Sequence, residues 1–468
     1  MAPTLIARSL PPWCSAWSRA AAGAASAALA AAVFAFLDAV DVLLCLAYAL
    51  LDGLLEDGPP ACYCHRGHDA GKASSAASGT AATEQDDDEE EVSDTLYVRR
   101  SACKDALMWL LRMVTRRSRA APAPGKLRSP RWSDCGCASC VAWREDGDGR
   151  LHFVVKEPAP KDTSGTASSK TEDDSEAAAT EDAIFIHGFL SSSSFWTETV
   201  FREPSAVLRR RRLLAVDLLS FGRSPKPANC LYRLKDHVDA IERSLVEPLH
   251  LTSFHLVAHS MGCIVALALA ARHPARVKSI TLVAPPYFPA CEQEASRVAL
   301  RRLAAKKLWP PLLFVSSVMS WYEHIGRTVC LLVCKNHLRW EWLIRLLTGK
   351  REVDYRMRDL TRHTHQSAWH TMHNVVCGGA RLQGRYLDAV AAAGVPVRAV
   401  HGGDDTVVPA ECSRHLKARL PAAELRLLGG RDHATVVLGR EREFADELVA
   451  FWSCSASRRG QGAQANGR

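Results

Sequence analysis

Ser260 stands in the run Ala258-His259-Ser260-Met261-Gly262, with a tiny side chain two residues to either side. A serine held at a sharp strand-to-helix turn needs such neighbours, because the two backbones pass close together there. The flanks suit that turn. Phe254 to Ala258 reads as a short buried strand, and Met261 to Ala271 as an alanine-rich helix. Ala258 stands where glycine is usual, and alanine is the next smallest side chain. A serine that merely caps a helix is the bland alternative. His259 fills the variable position and is given no catalytic role.

A serine hydroxyl attacks poorly until a base removes its proton. The chain has 18 histidines, so position must choose among them. His433 follows the last strand in Gly429-Gly430-Arg431-Asp432-His433, where the glycines permit a tight approach. A carboxylate must orient the imidazole and stabilise its charged form. The turn His401-Gly402-Gly403-Asp404-Asp405, ahead of Pro409, follows the preceding strand, and by chemistry either aspartate serves. An oxyanion also needs two fixed backbone donors. The N–H of Met261 is one, and Phe189 in His187-Gly188-Phe189-Leu190 offers the other. His187 is expected to prop that turn rather than react.

The elements that must hold these residues alternate along the chain. Ala183–Ile186, Leu213–Val216, Phe254–Ala258, Lys278–Val283, Val395–Val400 and Glu424–Leu428 read as short apolar strands separated by helical stretches. That alternation predicts an α/β fold with a mostly parallel, doubly wound sheet, whose functional loops lie at the carboxyl ends of the strands. Cys140–Trp143 and Leu151–Val155 flank Asp146-Gly147-Asp148-Gly149, a hairpin signal. From Pro285 to about Arg385 the alternation stops, and Trp309, Trp321, Trp340, Trp342 and Trp369 fall in a helical stretch expected to form a lid.

Composition is ordinary for a large globular chain: 468 residues, 47% hydrophobic and 24% charged. The net charge of +8 is mild and scattered, and no nucleic-acid motif accompanies it, so nucleic acid is not an expected partner. Ala20 to Leu37 is apolar, follows Arg8 and Arg19, is interrupted by Asp38 and Asp41, and is succeeded by a second apolar run from Val42 to Leu51. This pattern predicts a signal peptide or retained anchor that places the rest of the chain outside the cytosol. Lipidation at Cys45 is a further option. The expected localisation is the secretory pathway, then the cell membrane or secretion.

Sixteen cysteines are too dilute for a disulfide scaffold. The pair Cys62 and Cys64 beside His65, and the run Cys135, Cys137 and Cys140, lack the second ligand pair of structural zinc along the sequence. His363, His365, His370 and His373 likewise lack a companion ligand in their own segment. No metal or other cofactor is therefore expected. The resulting division assigns 1–60 to the signal or anchor and 61–139 to a disordered linker with a basic amphipathic helix at 102–119. Residues 140–285 and 386–455 form the core, with a disordered insert at 158–181. Residues 286–385 form the lid and 456–468 a flexible tail.

These motifs together resemble the α/β-hydrolase superfamily over roughly Leu151 to Trp452. Asp217-Leu218-Leu219-Ser220-Phe221-Gly222-Arg223-Ser224 is similar to its D-x-x-G-x-G-x-S turn, with Ser220 in place of the first glycine. Within the superfamily, the segment from Arg362 to Asn374, the hydrophobic N-terminus and Cys62-Tyr63-Cys64 resemble the plant BODYGUARD family, whose members are linked to cuticle and cutin formation as probable lysophospholipases. The resemblance implies a triad of Ser260, Asp405 and His433. In the family pattern the acid stands three residues after a glycine and four before a proline, distances that Gly402 and Pro409 give to Asp405. It also implies an esterase at the cell membrane or secreted to the cell wall, acting on lysophospholipids or cutin precursors. An acyltransferase using the same acyl-enzyme differs only in its second nucleophile. A non-enzymatic receptor on the same fold would be marked by a lost triad residue, and none is lost.

Overall fold

The computed structural model describes residues 12–55, 92–97, 131–145, 149–159, 181–202, 208–228 and 230–465. The segment Cys62 to His65, the basic helix expected at 102–119 and most of the insert at 158–181 lie outside them. In chain order the elements are helix α1 (Pro12–Leu55), α2 (Ala138–Glu145), strand β1 (Phe153–Lys156), β2 (Asp182–Ile186), β3 (Arg212–Val216), α3 (Leu234–Ile241), β4 (Phe254–His259), α4 (Gly262–Arg272) and β5 (Val277–Val283). There follow α5 (Glu292–Leu303), α6 (Pro311–Trp321), α7 (Glu323–Leu332), α8 (His337–Thr348), α9 (Tyr355–Leu360), α10 (His365–Thr371) and α11 (Gln383–Ala392). The chain then closes with β6 (Val397–Gly402), α12 (Glu411–Arg419), β7 (Glu424–Leu428) and α13 (Glu441–Ala465).

The seven strands form one sheet in the order β1-β3-β2-β4-β5-β6-β7. All neighbours run parallel except β1, which pairs antiparallel with β3. Central strands buried on both faces read as continuous apolar runs, and every residue of β2 and β4 is buried. Successive side chains still point to opposite faces. Ile184, Ile186, Leu214 and Val216 therefore join one core, packed under α4, while Ala183, Phe185, Leu213 and Ala215 join another with Trp196 and Trp452.

Three expectations need correction. Cys140–Trp143 is not the first arm of a hairpin, because it lies inside α2, and β1 takes β3 as its partner instead. Helix α13 runs to Ala465, into the stretch expected to be a flexible tail. The two N-terminal apolar runs form one helix that continues through Asp38 and Asp41. Asp41 is accommodated because its carboxylate accepts the backbone N–H groups of His324 and Ile325 at 2.9 and 3.2 Å, at the start of α7. There an anion meets the positive end of a helix.

The same pairing binds α1 to the helical stretch between β5 and β6. Asp52 is 1% exposed and receives both guanidinium nitrogens of Arg327 at 2.6 Å, plus the indole N–H of Trp132 at 2.7 Å. Tyr322 donates its hydroxyl to the carbonyl of Phe34 at 3.0 Å. A buried carboxylate stripped of its partner is destabilising by about 3–5 kcal/mol, whereas an apolar replacement of both partners is close to neutral. Thermal unfolding of the full chain should therefore show Arg327→Met melting well below the parent. Asp52→Leu combined with Arg327→Met should recover most of the loss. A single variant that melts with the parent would place Asp52 in water.

Candidate active site

Ser260 closes the carboxyl end of β4, and its N–H bonds to the carbonyl of Val283 at 2.8 Å. Its φ is +53°, a left-handed conformation that is unfavourable for a residue with a side chain. Such strain, about 1–3 kcal/mol, persists only where the surroundings impose it. They do so here. A Cβ at Gly262 would lie 2.5 Å from the carbonyl oxygen of His187 and 2.9 Å from that of Ile186. A Cβ at Gly188 would lie 3.1 Å from the Cβ of Ser260. The turns after β2 and β4 are thus pressed together, with the serine between them.

Asp405 and His433 leave the ends of β6 and β7. The imidazole Nδ1 of His433 donates to Asp405 Oδ2 at 2.7 Å. Asp405 Oδ1 accepts the N–H groups of Val407 and Val408 at 2.8 and 2.9 Å. Burial on its own would raise this carboxyl, but hydrogen bonds from His401 and His433, the charge of His433 and the Val408 N–H together hold it well below the usual carboxylate range. Asp404 is exposed, and its backbone N–H bonds to the carbonyl of Arg431 at 2.9 Å. Gly402 explains why the two loops can meet: a Cβ there would lie 2.4 Å from that same Arg431 carbonyl oxygen.

Two histidines to which the sequence assigns no role, His259 and His401, support this pair. His259 is buried, with its ring stacked 4.7 Å from Phe195, and its Nε2 donates to the backbone carbonyl of His433 at 2.9 Å. Burial, and then the neighbouring His433, pull its pKa down to about 3, so it is neutral. The rings of His259 and His433 lie 4.7 Å apart, which brings His433 beside the residue that precedes Ser260. His401 donates from Nε2 to the carbonyl of Val408 at 2.9 Å and stands 3.3 Å from Asp405 Oδ2. A histidine at the carboxyl end of a strand was the available signal, but nothing in the sequence said where its ring would reach.

The expected oxyanion donors flank the serine. Met261 is buried at the start of α4, where backbone N–H groups lack intrahelical acceptors. Phe189 follows Gly188 in the turn against Ser260, and its ring packs edge-on to Phe221 at 5.6 Å. His187 fixes that turn. Its Nδ1 donates to the carbonyl of Gly188 at 2.7 Å and its Nε2 accepts the N–H of Leu218 at 2.9 Å, which sets a neutral tautomer. Asp217 holds the adjoining loop by accepting the N–H groups of Ser193 and Arg223 at 2.6 and 2.8 Å. Ser220, in place of glycine, takes φ +84°.

A family model described as the alpha/beta hydrolase fold matches residues 184–439. "Probable lysophospholipase BODYGUARD 4" of Arabidopsis thaliana is 46% identical over 437 residues, covering 92% of this chain and 97% of that protein. The chain belongs to the BODYGUARD family of α/β-hydrolases. "Probable lysophospholipase BODYGUARD 5" of the same plant is 40% identical over 442 residues, covering 91% of this chain and 94% of its own. "2-hydroxy-6-oxo-2,4-heptadienoate hydrolase" of Pseudomonas putida is 24% identical over 263 residues, covering 53% of this chain and 81% of its own. Kinship with the first two thus spans more than nine-tenths of either chain.

The depressed carboxyl of Asp405 has a consequence for stability. A group whose folded value lies below its unfolded value adds stability in its ionised form. That contribution is fully present above the unfolded value, about 3.9, and is lost as pH falls through the lower folded one. Unfolding free energies measured against pH should therefore decline on the acid side, and Asp405→Asn should flatten that limb. Equal acid limbs in the two proteins would mean that Asp405 is not held ionised by its neighbours.

Proposed function

We propose that this BODYGUARD-family hydrolase is a serine esterase in which Ser260 attacks an acyl carbonyl, His433 takes the serine proton and Asp405 holds the imidazole. The oxyanion would be met by the N–H groups of Phe189 and Met261. His433 then returns its proton to the departing alcohol, and water repeats the sequence on the acyl-enzyme. The observation that carries this reading is Ser260 at φ +53° on a turn forced by Gly188 and Gly262, next to His259, whose ring lies 4.7 Å from that of His433 in the His433–Asp405 pair.

The substrate class proposed is a lipid-like ester, a lysophospholipid or cutin precursor. The relatives' name supports the first, and the resemblance to proteins of cuticle formation supports the second. The outer surface supports both. Phe36, Leu43 and Leu54 on α1 are 66–76% exposed, and Trp309, Trp342 and Leu347 of the helical insertion are 60–76% exposed. An open groove of about 610 Å³ lined by Leu332, Leu338, Trp340, Trp342 and Leu343 adjoins them. Large apolar patches of this kind mark membrane or partner contact. Because α1 is held to α7 by Asp41 and Asp52, a membrane that receives α1 receives the insertion too. We assign the protein to a membrane surface in the secretory pathway, with the insertion facing lipid as a lid.

Ser260→Ala should abolish labelling by a fluorophosphonate probe and lower turnover of a lysophospholipid on the order of a million-fold. Asp405→Asn should lose about ten-thousand-fold through the wrong imidazole tautomer. Asp404→Asn should stay within about tenfold, or roughly 1.4 kcal/mol. Purified full-length protein assayed on lysophospholipids, monoacylglycerols and hydroxy-fatty-acid esters, with and without an alcohol acceptor, reads the substrate and the second nucleophile together. Labelling that survives in Ser260→Ala would remove the serine from the mechanism.

The membrane assignment has its own check. Full-length protein should float with anionic phospholipid vesicles, and Phe36→Glu with Leu43→Glu should release most of it while leaving its melting temperature unchanged. Flotation unaffected by both charges would place the contact elsewhere.

A further inference from the structure

Helix α2 and the segment before it are attached to the insertion by almost no apolar burial. Between Arg131 and Trp143 only Ser133 is buried. An eight-residue helix is not stable in isolation, and without an apolar face to bury it needs another attachment. Trp132 and Ser133 reach Asp52 and Arg327, but α2 itself begins beyond them.

What converges at α2 is a set of soft ligand atoms. The thiols of Cys135, Cys137 and Cys140 and the imidazole of His337, at the start of α8, lie within 4.8 Å of one another. Cys137 Sγ and Cys140 Sγ each stand 3.5 Å from His337 Nε2. In tetrahedral zinc coordination, Zn–S of about 2.3 Å and Zn–N of about 2.0–2.1 Å make the S···N edge about 3.6 Å. The imidazole is also oriented as a ligand. Its other nitrogen, Nδ1, lies 3.2 Å from Glu341 Oε1, the carboxylate contact that fixes the tautomer of metal-bound histidines. No disulfide joins these cysteines.

A second group stands next to the first. Cys330 and Cys334, one turn apart around the end of α7, place their sulfurs 3.5 and 3.6 Å from His363 Nε2. These three ligand atoms also lie within 4.8 Å of one another. Cys135, Cys140 and His363 line one small cavity together with Trp143 and Arg362, so the two groups share a wall. The expectation of no metal weighed ligands only along the chain. His337 is nearly two hundred residues from Cys140, and Cys330 is about thirty from His363, so neither group has a local signature.

We propose that the chain binds structural zinc at Cys135, Cys137, Cys140 and His337, and a second zinc at Cys330, Cys334 and His363 with its fourth position open. The first ion staples α2 to α8. The second ties α7 to the segment that leads into α10. Binding at each deprotonates the thiols and releases their protons to solvent, and no electron is transferred.

Elemental analysis of the full-length protein, purified in detergent without chelator, should find about two zinc ions per chain. Cys137→Ser with Cys140→Ser should remove one, and Cys330→Ser with Cys334→Ser the other. Cobalt exchanged into the parent should show thiolate charge-transfer absorption, which keeps the test valid if a variant fails to fold. One zinc lost only in the Cys137/Cys140 variant overturns the second site, and one lost only in the Cys330/Cys334 variant overturns the first. Less than about a fifth of a zinc per chain, with Cys137 and Cys140 recovered as a disulfide or as unbound thiols, overturns both.

Discussion

Gly262 has no room for a side chain, and much of the molecule follows from that contact. The carbonyl oxygens of Ile186 and His187 press on it from β2, while Gly188 meets Ser260 from the same turn. Two adjacent parallel strands must therefore end level with one another, and the chain leaving β4 must turn at once into α4. The positive φ of Ser260 is the strain that this crossing stores. Every loop that completes the site emerges at the same end of the sheet, because parallel strands put all their carboxyl ends together.

The second close approach is Gly402 against Arg431, and it does for Asp405 and His433 what Gly262 does for Ser260. Asp405 and His433 come from different loops, yet the backbones touch and the side chains meet at 2.7 Å. His259 links the two approaches, since it adjoins Ser260 in sequence and holds the His433 carbonyl in space. Buried, neutral and hydrogen-bonded, it fixes the backbone at His433.

Buried ion pairs and hydrogen bonds join the N-terminal helix and the insertion, beside aromatic contacts of Phe34 with Phe314 and Tyr322. Asp41, Asp52 and Arg327 are nearly inaccessible to water, and each is satisfied by its partners. Buried charges of this kind are weak contributors to stability relative to apolar packing, but they penalise any arrangement that separates them. Phe36, Leu43 and Leu54 of α1 and Trp309, Trp342 and Leu347 of the insertion stay exposed.

The sequence by itself determined the parallel strands, to within a residue or two at their ends, and which turns follow them. These are local matters: runs of apolar residues, a period of two, and small residues where backbones cross all lie within a few positions of one another. Between Asp404 and Asp405 local chemistry was silent, and the choice rested on resemblance. Only the tertiary structure decided the rest, because each remaining feature joins residues far apart in the chain. Cys140–Trp143 is apolar enough for a strand, but its fold as α2 accompanies contacts to His337. Asp38 and Asp41 looked like breaks in a membrane segment until α7 supplied donors for Asp41. Charged and sulfur-bearing side chains are read by what surrounds them, and pattern along the chain carries no record of partners that arrive from two or three hundred residues away.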